Sequence, residues 1–293
     1  MAITKEEIVK LVKDFVNTSP VNRMGEAFGD EKMWDEPLVG FASGADPMFR
    51  ELKTRTGCGV THWLPAEIFN KQFSQHPAKP EELTIVSWVL PQTEATKESL
   101  RRESLMPSER WVRSRIVGEP INDEVRKYMI KTFTELGYEV MAPVLYPEWT
   151  RLETPEQVFT SLWSERHIAH IAGLGTFSYS DALITAKGIA HRVGSVIVRT
   201  KLEADKRPYT GRYDYCLYYA KGTCRVCMSR CPGEGALTEN GHNKKNCKAF
   251  SHGKTIPYIL EHYHLDGYGC GFCQTKVPCE SGIPAEILAD MKK

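Results

Sequence analysis

Apolar positions follow two regimes along this chain. Through roughly residue 205 they recur at helix or strand spacing between polar breaks, and from there on cysteines replace the periodicity. Thr4 and Glu7 form a capping-box pattern ahead of Ile8, Leu11, Val12, Phe15 and Val16, which share one face and predict a first helix. Residues 17 to 60 are rich in Pro, Gly, Asp and Met and predict a long irregular wrap with turns at Gly29–Asp30 and Gly44–Ala45. Leu83 to Leu90, stopped by Pro91, reads as a buried strand. Asn122 reads as the N-cap of a helix with the stripe Val125, Met129, Ile130, Phe133 and Leu136, ending at Gly137, and Tyr138 to Val144 reads as the next strand. The stretch ERWVRSRIVGEP before it is expected to be a solvated loop anchored by Trp111. The alternative is that Arg110, Arg113 and Arg115 line an anionic or planar ligand.

Thr154 with Pro155 opens another helical segment, continued or restarted near Ser164, with Ile168, Ile171 and Ala172 toward a core and Gly173 as a left-handed cap. Two glycines flank Leu174, where backbone can approach a flat ligand closely. Ala182 to Thr185 and Gly194 to Thr200 read as short strands. In LEADKRPYTGRYD the periodicity ends, which places a domain boundary near residue 205, and IPAEILADMKK predicts a closing helix. The expected fold class is α+β, with an α/β domain over residues 1–205 and a cysteine-rich domain over 206–293.

Composition narrows the functional classes. Lys and Arg number 38 against 37 Asp and Glu, a net charge of +1, which argues against nucleic acid as a partner. A local phosphate-binding patch of Lys201, Lys206, Arg207, Lys244 and Lys245 is the reservation. No apolar run approaches the roughly 20 residues that cross a bilayer. The start MAITKEEIVK lacks the pattern of a secretory signal, and Arg101–Arg102 is internal, so the expected location is the cytoplasm, with no membrane.

Eight of nine cysteines lie between residues 216 and 279. Disulfides would need an oxidising compartment. Zinc would use the close pairs Cys224 with Cys227 and Cys270 with Cys273, but leaves Cys231, followed by Pro232, unexplained. Two [4Fe–4S] clusters explain all three features, because closely spaced thiolates reach separate corners of one cube while the cysteine before proline crosses to the other. The crossed assignment is Cys216, Cys224, Cys227 and Cys279 on one cluster, and Cys231, Cys247, Cys270 and Cys273 on the second. Cys58 is left as an ordinary small residue. His167, His170 and His191 could be ligands or proton donors, with structural roles the better reading.

From SERHIAHIAGLGTFSYSDALITAKGIAHRVGSV through the cysteine motifs, the chain resembles the epoxyqueuosine reductase and reductive dehalogenase superfamily. The resemblance implies a nitroreductase-like domain that binds cobalamin or another corrinoid, followed by a ferredoxin-like domain with two [4Fe–4S] clusters. It puts Ala172, Gly173, Leu174 and Gly175 against the corrinoid. It also implies an external electron donor such as ferredoxin or flavodoxin and a small-molecule substrate. Departures accompany the match. Where epoxyqueuosine reductases carry an acidic proton donor, ahead of a pair matching Glu165–Arg166, this chain has Phe159, Thr160 and Ser161, and where they carry a lysine it has Tyr179. No helical-repeat extension for tRNA and no export signal of the dehalogenase type is found, so a cytoplasmic paralogue is expected. Tyr179, by position, and His167 or His170, by titration range, become the candidate proton donors. The expected activity is an iron–sulfur reductase that passes electrons to a corrinoid. The alternative is an electron-transfer protein or subunit without one.

Overall fold

In the computed structural model, residues 3–54, 62–153 and 158–291 are described. The elements of the first part are α1 (Lys5–Thr18), β1 (Leu38–Ser43), α2 (Met48–Thr54), α3 (Pro65–Gln72), β2 (Leu83–Pro91), α4 (Glu94–Arg101), α5 (Glu109–Ile116), α6 (Gly118–Glu135), β3 (Val140–Met141), β4 (Arg151–Leu152), β5 (Thr160–Ser161), α7 (Glu165–Ile171), β6 (Gly175–Phe177), β7 (Leu183–Thr185) and β8 (His191–Arg199). The cysteine segment adds α8 (Leu217–Lys221), α9 (Val226–Arg230), β9 (Leu237–Thr238), β10 (Gly241–His242), α10 (Lys244–Lys248), α11 (Thr255–Tyr263) and α12 (Ala285–Met291). Between α10 and α11 runs a π-helical turn, Ala249–Lys254.

The frame is an antiparallel sheet in the order β1-β2-β8-β3. All nine residues of β2 are buried, because helices cover both faces. Val86, Trp88 and Leu90 of β2, with Val196 and Val198 of β8, join α1 and α6 in one core. Leu83, Ile85 and Ile197 face the other way into a second core with α2, α3, Trp163 and α7. This is the period-2 alternation of a strand buried on both sides. A third core, around Tyr179, Ile184, Ile189 and Tyr215, adjoins the cysteines.

Several expectations hold. The Thr4–Glu7 capping box forms, β2 covers the predicted strand, and Gly173 takes the left-handed conformation at φ 80°. Others need correction. The wrap over residues 17–60 contains β1 and α2, and β1 escapes notice because Gly40 interrupts a short strand; a side chain there would meet the Ala172 carbonyl at 2.5 Å. The stretch beginning ERWVRSRI is helix α5: the Ser108 hydroxyl caps it by accepting from the Trp111 amide, and Trp111, Val112 and Ser114 form its buried face. Helix α6 begins at Gly118, so Asn122 is an interior residue. It is buried, accepting from Trp88 Nε1 at 2.8 Å and donating to the Val193 carbonyl at 3.0 Å. The strand expected over 138–144 shortens to β3 because Pro143 starts a 3-10 turn. Cys58 and the helix start at Thr154–Pro155 lie outside the described residues.

The two parts of the chain interlock. Arg101 on α4 donates to the buried Glu280 carboxylate, Lys97 donates to Ser281 Oγ at 2.7 Å, and the Ile189 amide donates to the Cys279 carbonyl at 2.9 Å.

Candidate redox site

Short helices and glycine turns position the cysteines. Cys216 is the N-cap residue of α8, which Gly222 ends at φ 70°; Cys227 lies on α9, and Cys231 is its C-cap. Cys247 rides on α10, and Cys270 and Cys273 flank the turn at Gly271, whose backbone lies so close to the Trp111 indole that a side chain would meet it at 2.2 Å. The same indole donates through Nε1 to the Cys270 carbonyl.

The thiols sort into two neighbourhoods. Burial pushes the Cys227 thiol up to about 12, with Cys216 and Cys224 as its charged neighbours, and Cys279 is raised by burial and by Cys216, Cys227 and Cys224. Cys270 is likewise pushed up to about 12 by burial, with Cys247 and Cys231 beside it; Cys273 is raised by burial, then by Cys270, Cys247, Cys227 and Cys231. Cys273 also lines the cavity of the first group, so the two neighbourhoods adjoin. That cavity is small, about 30 Å³, and Tyr179, Ile184, Ile189, Val277 and Pro284 supply its apolar walls. Among the described residues no three His, Cys, Asp or Glu side chains form a group that could hold a single metal ion. Thiolates so desolvated need a cationic centre beside them, and ligands of a cube attach to separate irons, so the donor set fits two clusters.

A polar cleft borders the second group. Cys247 and Lys244 are charged neighbours, Lys244 pairs with Asp181, and Arg166 donates to the Asp181 carbonyl. His191 is held near 4 by burial, with Arg192 and Arg166 nearby. Arg192 stands 3.8 Å from Glu119 and keeps 23% of its side-chain surface exposed. Across from it, Tyr268 accepts from Arg115 at 2.5 Å and from Arg151 at 3.5 Å, and stacks on His252 at 3.8 Å. His252 bonds Ser251, which hydrogen-bonds Cys247. Arg192, Lys244, His252 and Tyr268 are half-buried and Arg151 is exposed, so this polar cluster reaches solvent.

Under this cleft lies a buried carboxylate. Glu165 starts α7; its Oε1 lies 3.1 Å from Arg126 Nη2 and its Oε2 accepts from Ser195 Oγ at 2.6 Å, which in turn accepts from Trp163 Nε1 at 3.0 Å. Burial raises the carboxyl to about 7 against the pull of Arg126.

The predicted site residues do not converge. Tyr179 lines the first cysteine cavity, donating to the Thr238 carbonyl at 2.5 Å. His167 and His170 line a different pocket, with Met48, Glu51, Leu52, Ile171, Thr210 and Arg212. Burial, then Arg212 and Arg166, hold His167 well below its ordinary value, so it is neutral at pH 7. In the segment 172–175, Ala172 is 1% exposed and a side chain on Gly175 would meet the Ile184 carbonyl at 2.1 Å, while Gly173 and Leu174 are half-buried. In the basic patch, Arg207 pairs with Asp46 at 2.5 Å and Lys244 with Asp181. Arg192, Tyr268 and the Arg126–Glu165 pair were missed. The one signal was the arginine-rich stretch before Gly118, which the helix turns so that Arg115 reaches the cleft.

The sheet with its cysteine segment shares its fold with part of a reductive dehalogenase. A reductive dehalogenase whose structure is described as suggesting a mechanism for B12-dependent dehalogenation superposes over 87% of this chain and 31% of its own, at a TM-score of 0.50 and 14% identity. Epoxyqueuosine reductase from Staphylococcus aureus (strain NCTC 8325 / PS 47) is 29% identical over 154 residues, 50% of this chain and 38% of that protein. The chain is thus similar in sequence to an epoxyqueuosine reductase over half its length and in fold to a reductive dehalogenase. The chain spans well under half the length of those two relatives. An epoxyqueuosine reductase solved with an epoxyqueuosine-modified tRNA stem loop aligns over 98% of this chain and 68% of its own, with a TM-score of 0.44 and 16% identity. The expectation that nucleic acid is no partner is not supported by these comparisons. No family model matches. Among the described residues no helix is long and apolar enough to cross a membrane.

Proposed function

We propose that this chain is an iron–sulfur reductase, built from a nitroreductase-like part and a ferredoxin-like part, which passes electrons through two [4Fe–4S] clusters to a corrinoid at the polar cleft. The observation that carries the reading is the sorting of eight thiols into two adjoining groups, the second of which borders the cleft through Cys247. Cys216, Cys224, Cys227 and Cys279 hold the outer cluster, and Cys231, Cys247, Cys270 and Cys273 the inner one. The apolar walls around the first group exclude water and help set its potential.

The cleft fits a large polar cofactor better than residues 172–175 do, since its walls come from both parts of the chain and carry donors and acceptors. Arg166, Arg192, Lys244 and His252 face it from opposite sides. A corrinoid held there would supply a reduced cobalt centre as the electron source. The residues orient the ligand, and the Arg126–Glu165 pair fixes the start of α7 beneath it. The electron donor is an external low-potential protein, and the substrate is a small molecule or a nucleic-acid base.

Anaerobic purification followed by iron, sulfide and cobalt analysis tests this directly. About eight irons and eight sulfides per chain are expected, with cob(II)alamin showing a spectral change on addition. Zinc in place of iron, or full iron with no corrinoid affinity, overturns the reading.

A further inference from the structure

The cleft holds more positive charge than its own carboxylates answer. Arg115 and Arg151 both point at one phenol oxygen, that of Tyr268, and the Arg115 guanidinium lies 4.6 Å from the centre of the Tyr268 ring. Among the described residues neither arginine forms an ion pair. Arg192 has Arg115, Arg151 and Tyr268 as charged neighbours, and among the described residues its ion pair is with Glu119, 3.8 Å away and shared with Arg126 at 3.4 Å. The phenol oxygen accepts from both arginines and keeps its own hydrogen, for which no acceptor is found among the described residues. Three guanidinium groups and a hydroxyl donor in one cluster make an arrangement that recognises a tetrahedral oxyanion.

We propose that Arg115, Arg151 and Arg192, with Tyr268, form a binding subsite for a phosphate ester carried by the substrate. Guanidinium forks match phosphate oxygens geometrically, and the low dielectric of the cleft strengthens each contact. Burial and the neighbouring Arg115 bring the Arg192 guanidinium down to about 9, a cost that a bound dianion offsets. A phosphate-bearing substrate thereby docks beside the inner thiol group, since Trp111, on the same helix as Arg115, contacts the Cys270 carbonyl. The assignment of the ligand as substrate rests on the proposed reductase reading; the anion site itself does not.

The test uses the iron-loaded protein, purified anaerobically, and needs no turnover. Binding of inorganic phosphate and of a nucleoside 5′-monophosphate is measured by calorimetry. Both are expected to bind, the nucleotide more tightly, and to weaken as salt is raised. Arg192→Gln and Tyr268→Phe are expected to lose about tenfold or more in affinity, with iron content unchanged. Arg151→Gln, at an exposed position that does not threaten folding, is expected to lose affinity in the same direction. Absence of phosphate binding by the wild-type protein, or equal binding by Arg151→Gln, overturns the subsite. A corrinoid arm separates the two sources of a phosphate ester. If cobalamin blocks phosphate binding while cobinamide, which lacks the nucleotide tail, does not, the site serves the cofactor and the substrate assignment falls. Failure of corrinoid binding with phosphate binding intact sinks the reductase reading and leaves the anion site standing.

Discussion

Arg126 lies beneath Glu165, with its guanidinium 3.1 Å from the carboxylate and only 1% of its side chain exposed. Helix α6 and helix α7 approach the sheet from opposite faces, and this pair joins them past the edge of β8. A buried ion pair is weak evidence for net stability, but breaking one is costly because the survivor stays buried.

Arg126→Met is therefore expected to destabilise the protein by about 3–5 kcal/mol at pH 8. The loss should be smaller near pH 5.5. Glu165 has a folded-state value of about 7, above the roughly 4.3 of an unfolded glutamate, so the folded protein binds the extra proton between those values. Its stability contribution accordingly declines as pH rises through that window, and at pH values below about 7 the folded-state carboxyl is neutral and needs no arginine. Urea unfolding at the two pH values checks this; an equal loss at both would rule the pairing out as the cause.

The crossed cysteine assignment predicts a pattern of non-additivity. Cys216→Ser with Cys279→Ser is expected to cost one cluster, about four irons, as either change alone does. Cys216→Ser with Cys247→Ser is expected to cost both. Iron analysis with electron paramagnetic resonance distinguishes this from an uncrossed arrangement, in which Cys216 and Cys231 would behave as partners.

Gly188 sits at φ 86° on the turn before β8, where a side chain would meet the Glu280 carbonyl at 2.0 Å. Gly188→Ala should push the Cys279 loop away from the Ile189 amide and selectively deplete the outer cluster. Loss of inner-cluster signal first would contradict that.

Gly194 lies in β8 against the Trp88 indole, at 2.6 Å from where a side chain would begin, and against Asn122 Oδ1 at 2.7 Å. Gly194→Ala is expected to cost about 1–3 kcal/mol through overpacking. Adding Trp88→Phe, which makes room, should recover part of the loss in thermal unfolding.

How much of this was legible in the sequence depended on how local each signal is. Strand β2 announced itself because every residue from Leu83 to Pro91 is buried, so no polar face interrupts the run. Helix α5 was hidden because three of its eight residues are arginines, although Ser108 ahead of Trp111 and Val112 marked its start. Asn122 looks like a cap by residue type, and only the tertiary partner Trp88 explains a buried amide in mid-helix. The close cysteine pairs were legible because ligand spacing is a short-range property. The cleft could not, for Arg115, Arg151, Arg192 and Tyr268 are brought together only by the fold.

Helix α5 has a consequence for timing as well as place. Trp111 and Arg115 are one turn apart, about 6 Å along the axis, with the first clamped to the Cys270 loop and the second to Tyr268. The helix is a ruler of fixed length between the inner thiol group and the mouth of the cleft. Any shift of the cysteine loop is carried to Arg115 without a hinge to absorb it, so the proposed anion subsite and the proposed inner cluster would be read by the same rigid rod.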